Sequence, residues 1–143
     1  MGKTFSACPK CFKMNRVQIE KSEAAVCGHC GSSLTVHGGV TEASASQLDT
    51  LINKAPVPVI VDFWASWCAP CKSFAPIFEQ ASKDLAGQVV FVKVNTEQNA
   101  QVAGSYQIRG IPTVIKFSGQ SEVDRQTGLL PLPMLKDWAT SSG

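Results

Sequence analysis

All six cysteines of this 143-residue chain lie in pairs with the spacing Cys-x-x-Cys. The pairs are Cys8 with Cys11, Cys27 with Cys30, and Cys68 with Cys71. The same spacing serves metal binding in some proteins and thiol–disulfide exchange in others. The residues around each pair therefore decide which chemistry it supports, and they constrain how each part of the chain folds.

Composition narrows the classes of function. With 44% hydrophobic and 17% charged residues, the chain can form one well-buried domain and a small appendage. A net charge of +2 gives no reason to expect nucleic acid or a membrane surface as a partner, and no apolar run is long enough to span a membrane. The first residues lack the apolar stretch of an export signal, which predicts a cytoplasmic location. In a reducing compartment, such cysteine pairs more often bind metal or carry out redox chemistry than cross-link a fold.

The chain divides near Gly38 and Gly39. Residues 1–36 contain five basic residues, two acidic residues and four of the six cysteines, whereas the remainder is nearly neutral. We therefore predict a four-cysteine zinc-binding module over residues 1–37 and a second domain over residues 38–143.

The first two pairs are predicted to form one structural zinc site, with Cys8, Cys11, Cys27 and Cys30 as its ligands. Their pattern is C-x2-C-x15-C-x2-C, which suits four thiolates around one zinc ion. The module has few large apolar residues, so metal binding would supply free energy that its core cannot. We expect the intervening residues to form a hairpin and His29 to face solvent. Two reducible disulfides, or a ribbon that contacts nucleic acid, are the alternatives.

Beyond residue 38, the apolar patterns alternate between those of strands and those of helices. Residues 57–64 and 89–94 are nearly continuous apolar and β-branched runs, which indicates strands buried on both faces. The other predicted elements are a helix over 47–53 capped by Ser44 or Ser46, a helix over 70–85 kinked at Pro76, a helix over 97–106, strands over 112–117 and 122–127 joined by a tight turn, and a helix from 131 or 132 to 140. This order predicts an α/β fold with a central mixed sheet, parallel in the middle and antiparallel at one edge, flanked by helices.

The third pair has a different setting, because it follows a buried strand and opens a helix. Cys68 is predicted to stand at the helix N-terminus, where free N–H groups and the helix dipole favour the thiolate that attacks disulfides. Pro70 fits the first turn of a helix, where its missing N–H costs little. Cys71, one turn further, is predicted to be more buried and less acidic, which suits it to resolving a mixed disulfide.

Two charged residues interrupt the apolar strands near this pair. Asp62, if buried without a partner, would have a raised pKa and could exchange a proton with a nearby thiol. Lys93, in the neighbouring strand, could pair with Asp62. The alternative is that both side chains lie at strand ends in solvent.

Residues 57–76, VPVIVDFWASWCAPCKSFAP, resemble the active-site strand, turn and kinked helix of the thioredoxin family. The similarity continues through FVKVN at 91–95, RGIPT at 109–113 and Gly128, so it covers about residues 38–143. The preceding four-cysteine segment is similar to that of bacterial thioredoxins with an N-terminal zinc-binding module. The resemblance implies the thioredoxin fold, preceded by a small module like a zinc ribbon.

The resemblance also implies catalytic roles. Cys68 would be the nucleophile and Cys71 the resolving thiol. Asp62 would be the buried proton acceptor and Lys93 its modulating partner. Ala69 departs from the family pattern, in which glycine is usual at this place, and its methyl group is expected to stiffen the turn.

A substrate-binding surface is implied around the same pair. Pro112 would follow a cis peptide bond, and Ile111 would offer its backbone to an extended substrate segment. Trp64 is expected to be buried and Trp67 partly exposed. The residues of this surface would be Trp67, Ala69, Pro70, Gly110, Ile111, Pro112 and Gly128.

The predicted function is that of a thiol–disulfide oxidoreductase that reduces protein disulfides. The resemblance implies an NADPH-dependent thioredoxin reductase as the electron donor and disulfide-containing proteins as substrates. One structural zinc ion per chain and no organic cofactor are expected. An oxidase or isomerase of the same fold is one alternative, and a zinc module that senses oxidation by releasing its metal is another.

Overall fold

The structure is a computed structural model that describes residues 2–141. Met1, Ser142 and Gly143, which the predicted domain limits include, lie outside the described residues. In chain order, the elements are β1 (Lys3–Ala7), β2 (Met14–Gln18), a 3-10 helix (Ile19–Ala24), β3 (Val36–His37), β4 (Val40–Glu42), α1 (Ala45–Lys54), β5 (Val59–Trp64), α2 (Ala69–Asp84), β6 (Val90–Asn95), α3 (Ala100–Ser105), β7 (Thr113–Ser118), β8 (Ser121–Thr127) and α4 (Leu132–Thr140).

Strands β3 to β8 form one sheet in the order β3-β4-β6-β5-β7-β8. The three inner strands β4, β6 and β5 run parallel, whereas β3 lies antiparallel to β4, and β7 and β8 continue the other side antiparallel. The predicted α/β fold with a mixed sheet is therefore confirmed. The additional antiparallel edge at β3 was not predicted.

Side chains of the central strand β5 alternate between two helical layers, as they do in any strand. Val61 belongs to a core cluster that contains Leu48 of α1 and a residue of α3. Ile60 belongs to a second cluster, formed with Phe74 and other side chains of α2 and α4. Asp62, two residues after Ile60, therefore lies on the face of the sheet that α2 covers.

The N-terminal segment does not form the predicted hairpin between the two cysteine pairs. Instead, β1 and β2 form a hairpin whose connection contains Cys8 and Cys11. The second pair lies in its own turn, which the bridge between Val26 and Ser33 closes. Each pair of cysteines therefore lies in a turn of its own. The two turns are brought together without a hairpin in the residues that connect Cys11 to Cys27.

The predicted limit between the two domains falls within the hairpin of β3 and β4. β3 comes from the N-terminal segment and extends the edge of the large sheet. The Thr41 hydroxyl donates to the Phe5 carbonyl at 3.2 Å, and the Thr4 hydroxyl donates to the Gly39 carbonyl at 3.4 Å. These bonds join β1 to the hairpin, and the division into two domains stays a prediction.

Helix α1 is tied to β1 through Gln47. Ser44, one of the two predicted caps, accepts a hydrogen bond from the Gln47 N–H, and the Gln47 side chain accepts one from the Ser44 N–H at 2.9 Å. The same side chain donates to the buried carbonyl of Ala7 at 3.0 Å. One glutamine therefore both starts the helix and fixes it on the N-terminal hairpin.

Helix α3 is shorter than the predicted helix over 97–106. The side chain of Asn95 accepts hydrogen bonds from the N–H groups of Glu97 and Gln98, which holds these residues in a turn and delays the helix. The longest helix, α2, has 16 residues. None of the helices in residues 2–141 is long and apolar enough to cross a membrane.

We predict that Gln47→Ala lowers the free energy of unfolding by about 1 to 3 kcal/mol, because it leaves the Ala7 carbonyl and the Ser44 N–H without their partner. Urea unfolding followed by circular dichroism measures the change. Gln101→Ala, at an exposed position of α3, is the matched control and should change stability by less than about 0.5 kcal/mol. Equal small changes in both variants would show that Gln47 does not fasten α1 to β1.

Candidate redox site and cysteine cluster

Cys68 and Cys71 lie at the start of α2 and form a disulfide, with their Cα atoms 5.2 Å apart. Cys68 is the extended residue that precedes the helix, and its Sγ accepts a hydrogen bond from the Cys71 N–H at 3.2 Å. Pro70 lies in the first turn, where an N–H would have had no helical partner. The sulfur of Cys68 therefore lies where a helix N-terminus stabilises negative charge.

Cys71 is more buried than Cys68, as expected, but only by a small margin. Cys68 is 4% exposed and Cys71 is 3% exposed, because the loop at Ile111 covers Cys68, whose Sγ lies 3.6 Å from the Ile111 carbonyl oxygen. The two residues differ more in what they face. Cys68 lines a groove at the surface, and Cys71 lines a cavity beneath α2.

The surface groove has a volume of about 450 Å³. Trp67 is 71% exposed beside it and presents a large apolar surface to any bound segment. Five residues of the predicted substrate surface line this groove together, namely Trp67, Ala69, Pro70, Gly110 and Ile111.

The groove lining does not include Pro112 and Gly128, the other two predicted substrate residues. Pro112 is buried and follows a cis peptide bond, as expected. The Gly128 N–H donates to the Pro112 carbonyl at 2.8 Å, and its φ of 98° is one that favours glycine. These residues hold the loop of Ile111 in place and do not line the groove.

Asp62 lies on the α2 face of β5 and lines the same cavity as Cys71, with a volume of about 310 Å³. It is 3% exposed, and its Oδ1 has no hydrogen-bond partner among the described residues. Burial raises its pKa to about 7, and the positive charge of Lys93 offsets only part of this effect. The predicted burial is confirmed. A carboxyl group with a pKa near 7 can both take up and release a proton at neutral pH.

Within residues 2–141, Lys93 forms its ion pair with Glu42 and not with Asp62. The Lys93 Nζ lies 4.0 Å from the Glu42 Oε1 and 5.2 Å from the centroid of the Trp64 ring. The positive charge of Lys93 nevertheless acts on Asp62, because it reduces the rise in the pKa of Asp62 that burial causes. Trp64, expected to be buried, is half-buried, with the ammonium group over its ring.

Glu97 belongs to the site although no sequence pattern pointed to it. Its Oε1 accepts hydrogen bonds from the Ser66 N–H at 2.6 Å and from the Ser66 hydroxyl at 2.7 Å, and these bonds lower the pKa of Glu97. They join the loop after β6 to the loop that leads into α2. An acidic residue in a polar loop carries no periodic signal, so only the folded chain shows this contact.

The remaining four cysteines form the predicted cluster. The Sγ atoms of Cys8, Cys11, Cys27 and Cys30 all lie within 4.8 Å of one another. The distances are 3.5 Å from Cys8 to Cys30 and 3.7 Å from Cys11 to Cys27. Four thiolates that bind zinc tetrahedrally at about 2.3 Å lie about 3.8 Å apart. The spacing of the sulfur atoms therefore fits a tetrahedral zinc ion.

Backbone N–H groups favour thiolates in this cluster. The Lys10 N–H donates to the Cys8 Sγ at 3.3 Å, and the His29 N–H donates to the Cys27 Sγ at 3.4 Å. The N–H of Cys30 is the main cause that lowers the pKa of Cys27, to about 6. A hydrogen bond with the Lys13 backbone lowers the pKa of Cys11, but burial and the neighbouring cysteines outweigh it and raise this pKa to about 11. Thiolates are the form that binds metal. The His29 residue is exposed, as predicted, and the cluster consists of sulfur ligands.

Comparison with known proteins places the redox site in a family context. A sequence profile described as Thioredoxin matches residues 39–141. Thioredoxin C-3 of Corynebacterium nephridii is 35% identical over 132 residues, which cover 92% of this chain and 90% of that protein. Thioredoxin of Chlorobaculum thiosulfatiphilum is 40% identical over 98 residues, which cover 68% of this chain and 91% of that protein.

Two chloroplast proteins extend this comparison. Thioredoxin M4, chloroplastic, of Arabidopsis thaliana is 41% identical over 97 residues, which cover 68% of this chain, and the match spans half (50%) of that protein's length. The crystal structure of chloroplastic thioredoxin z is similar to this chain with a TM-score of 0.65 and 30% identity, and the match covers 70% of this chain and 90% of that one.

Asp62→Asn is expected to stabilise the protein, with a gain that grows between about pH 4 and pH 7. The carboxyl group loses its proton near pH 4 in the unfolded chain and near 7 in the folded one. Between these values the folded state holds the extra proton, so its stability falls as the pH rises, by on the order of 4 kcal/mol in total. Asparagine carries no charge and avoids this loss.

Denaturant unfolding of both proteins at pH 4, 5.5, 7 and 8.5 measures the difference. Asp84→Asn is the control, because surface contacts with Gln80 and Lys136 lower the pKa of that carboxyl group and no such gain is expected. A difference for Asp62→Asn that stays constant over this pH range would contradict a raised pKa for Asp62.

Proposed function

The chain belongs to the thioredoxin family of thiol–disulfide oxidoreductases, and we propose that it reduces protein disulfides through Cys68 and Cys71. The observation that carries the proposal is that the two residues line two different cavities. Cys68 lines the surface groove, and Cys71 lines the cavity that contains Asp62. A substrate disulfide can approach the sulfur of Cys68 from the groove, while Asp62 can exchange a proton with Cys71 in the cavity.

The first step is the attack of the reduced Cys68 thiolate on one sulfur of a substrate disulfide. A bond forms between Cys68 and that sulfur, the substrate disulfide breaks, and the released substrate thiolate takes a proton from water. The N-terminus of α2 stabilises the attacking thiolate. The exposed ring of Trp67 and the backbone of Ile111, on either side of Cys68, hold an extended substrate segment in the groove.

The second step releases the substrate. The Cys71 thiol passes its proton to the Asp62 carboxylate within their shared cavity, and the Cys71 thiolate attacks the sulfur of Cys68. The second substrate sulfur leaves as a thiolate and is protonated. Two electrons have then passed from the dithiol to the substrate, and the enzyme holds the disulfide between Cys68 and Cys71.

The oxidised enzyme needs an electron donor before it can act again. We assign this role to an NADPH-dependent thioredoxin reductase, on the ground of family membership. The substrates are disulfide-containing proteins that present an extended segment to the groove. The predicted cytoplasmic location suits this cycle, because a reducing compartment maintains the supply of electrons.

We further propose that the four-cysteine cluster holds one structural zinc ion and that the chain is of the bacterial thioredoxin type with an N-terminal zinc module. The sulfur spacing supports zinc, and so does the small core around the cluster, in which Val17, Leu34 and Val36 pack with two of the cysteines. Zinc would link the two turns that carry the ligands. The alignment with Thioredoxin C-3 covers 92% of the chain and so includes most of this segment.

Cys68→Ser is expected to abolish the reduction of insulin disulfides, because it removes the nucleophile. Cys71→Ser should retain the attack but not the release, and it should accumulate a mixed disulfide with the substrate that mass spectrometry detects. Ser73→Ala, at an exposed position of α2, should keep full activity.

Activity that survives Cys68→Ser would show that another pair of cysteines is catalytic. A measured reduction potential above about −180 mV for the pair of Cys68 and Cys71 would favour an isomerase over a reductase.

The purified chain is expected to contain one equivalent of zinc, which native mass spectrometry measures. Cys8→Ser and Cys27→Ser should lose the metal, because three thiolates leave the tetrahedral site incomplete, and both should keep insulin reduction. Cys68→Ser should keep its zinc. Zinc that remains in Cys27→Ser, or a reduced full-length chain that binds none, would contradict the assignment.

A further inference from the structure

Three charged side chains form a row across the parallel part of the sheet. Glu42 of β4 is in register with Lys93 of β6, and Lys93 is in register with Asp62 of β5. Residues in register on adjacent strands project from the same face, so all three lie on the face that α2 covers. Lys93 stands in the middle with one carboxyl group on either side.

The two carboxyl groups do not share the ammonium group equally. The Lys93 Nζ lies 4.0 Å from the Glu42 Oε1 and sits over the ring of Trp64. The Asp62 Oδ1 has no hydrogen-bond partner within residues 2–141. Glu42 is partly exposed beside the edge strand β3, whereas Asp62 is buried. The ammonium group of Lys93 is therefore paired with the more exposed carboxylate, Glu42, and not with the buried Asp62.

We propose that Glu42 is a positioning residue of the redox site, because it holds the ammonium group of Lys93 away from Asp62 and so limits how strongly Lys93 stabilises the Asp62 carboxylate. The inference rests on the proposed function, in which Asp62 takes the proton of Cys71. A carboxylate that Lys93 stabilised fully would be a weaker base for that thiol. Glu42 therefore keeps the proton acceptor active at neutral pH.

Other titratable groups face the same cavity. His37 of β3 and Lys72 and Glu79 of α2 line it together with Cys71. Glu79 has its own partner in Lys83 at 3.7 Å. The residue opposite Asp62 in β7 is the apolar Val114. These groups stay unchanged when Glu42 is replaced, so the difference between two otherwise identical chains reports on Glu42.

The direction of the effect is the same by both possible routes. Without the negative charge of Glu42, Lys93 is free to approach Asp62, and the like charge that disfavours the Asp62 carboxylate is gone. The carboxyl groups of Glu42 and Asp62 stand two strands apart, about 10 Å. At that separation direct repulsion in surroundings like water accounts for only about 0.3 pH unit. The total fall in the pKa of Asp62 is expected to be about 1 pH unit, and the approach of Lys93 supplies the larger part of it.

The test measures the pKa of Asp62 directly, by carbon-13 NMR of its side-chain carboxyl group in the reduced, full-length protein. Glu42→Gln should lower this pKa, and the acidic side of the pH–activity profile should move to lower pH with it, because Asp62 accepts a proton only when it is ionised. Glu23→Gln, which removes the same charge from an exposed site in the N-terminal segment, is the matched control and should change neither. The comparison is repeated in the Lys93→Met background, where only the direct repulsion between the two carboxylates remains.

A shift in the native background that falls to less than half in the Lys93→Met background supports the positioning role. No shift, a shift to higher pH, or a shift that keeps half or more of its size in the Lys93→Met background overturns it, because Glu42 would then act mainly without Lys93 or not at all. These outcomes are independent of the proposed function, which fails instead if Cys68→Ser still reduces insulin.

Discussion

The buried carboxyl group of Asp62 sets the conditions for the whole redox site. It lies on the central strand with one oxygen that no described residue binds, and burial raises its pKa to about 7. A buried carboxyl group without a partner lowers the stability of the folded state whenever it is ionised. Its presence on β5 is therefore not explained by packing. It is tolerated beneath α2 because a cavity separates it from the helix and because Lys93 offsets part of the cost. The first turn of α2 then places Cys71 on that cavity, and Cys68, just before the helix, lines the surface groove.

The N-terminal segment contributes to the large sheet as well as to the cysteine cluster. Its last strand, β3, pairs with β4, and β4 carries Glu42, whose N–H donates to the Thr35 carbonyl at 2.9 Å. Gln47 and Thr41 bind backbone carbonyls of β1. Val36 of β3 packs in the core of the cysteine cluster and pairs with β4, the strand that carries Glu42. The N-terminal segment is therefore joined to the rest of the protein by strand pairing between β3 and β4 as well as by the chain itself.

The sequence predicts those features of the structure that depend on neighbouring residues, and it misses those that depend on contacts between distant parts of the chain. The runs that became β5, β6 and α2 were predictable because burial leaves a continuous or periodic pattern in neighbouring residues. The burial of Asp62 was predictable for the same reason, since it interrupts such a run. The partner of Lys93 was not, because strand register brings Glu42 beside it from a distant part of the chain. The nearly equal burial of Cys68 and Cys71 also escaped prediction, because the loop of Ile111, far along the sequence, covers Cys68. The roles of these residues and the identity of the metal remain predictions.

The three Cys-x-x-Cys pairs have the same spacing, and their surroundings separate the proposed nucleophilic pair from the two pairs of the cysteine cluster. The most direct measurement is partial alkylation of the reduced, zinc-loaded protein with iodoacetamide between pH 6 and 7, followed by peptide mass mapping. The first label should appear on Cys68, since this residue combines a helix N-terminus with access from the groove. A first label on Cys71, or on any of the four clustered cysteines, would contradict it.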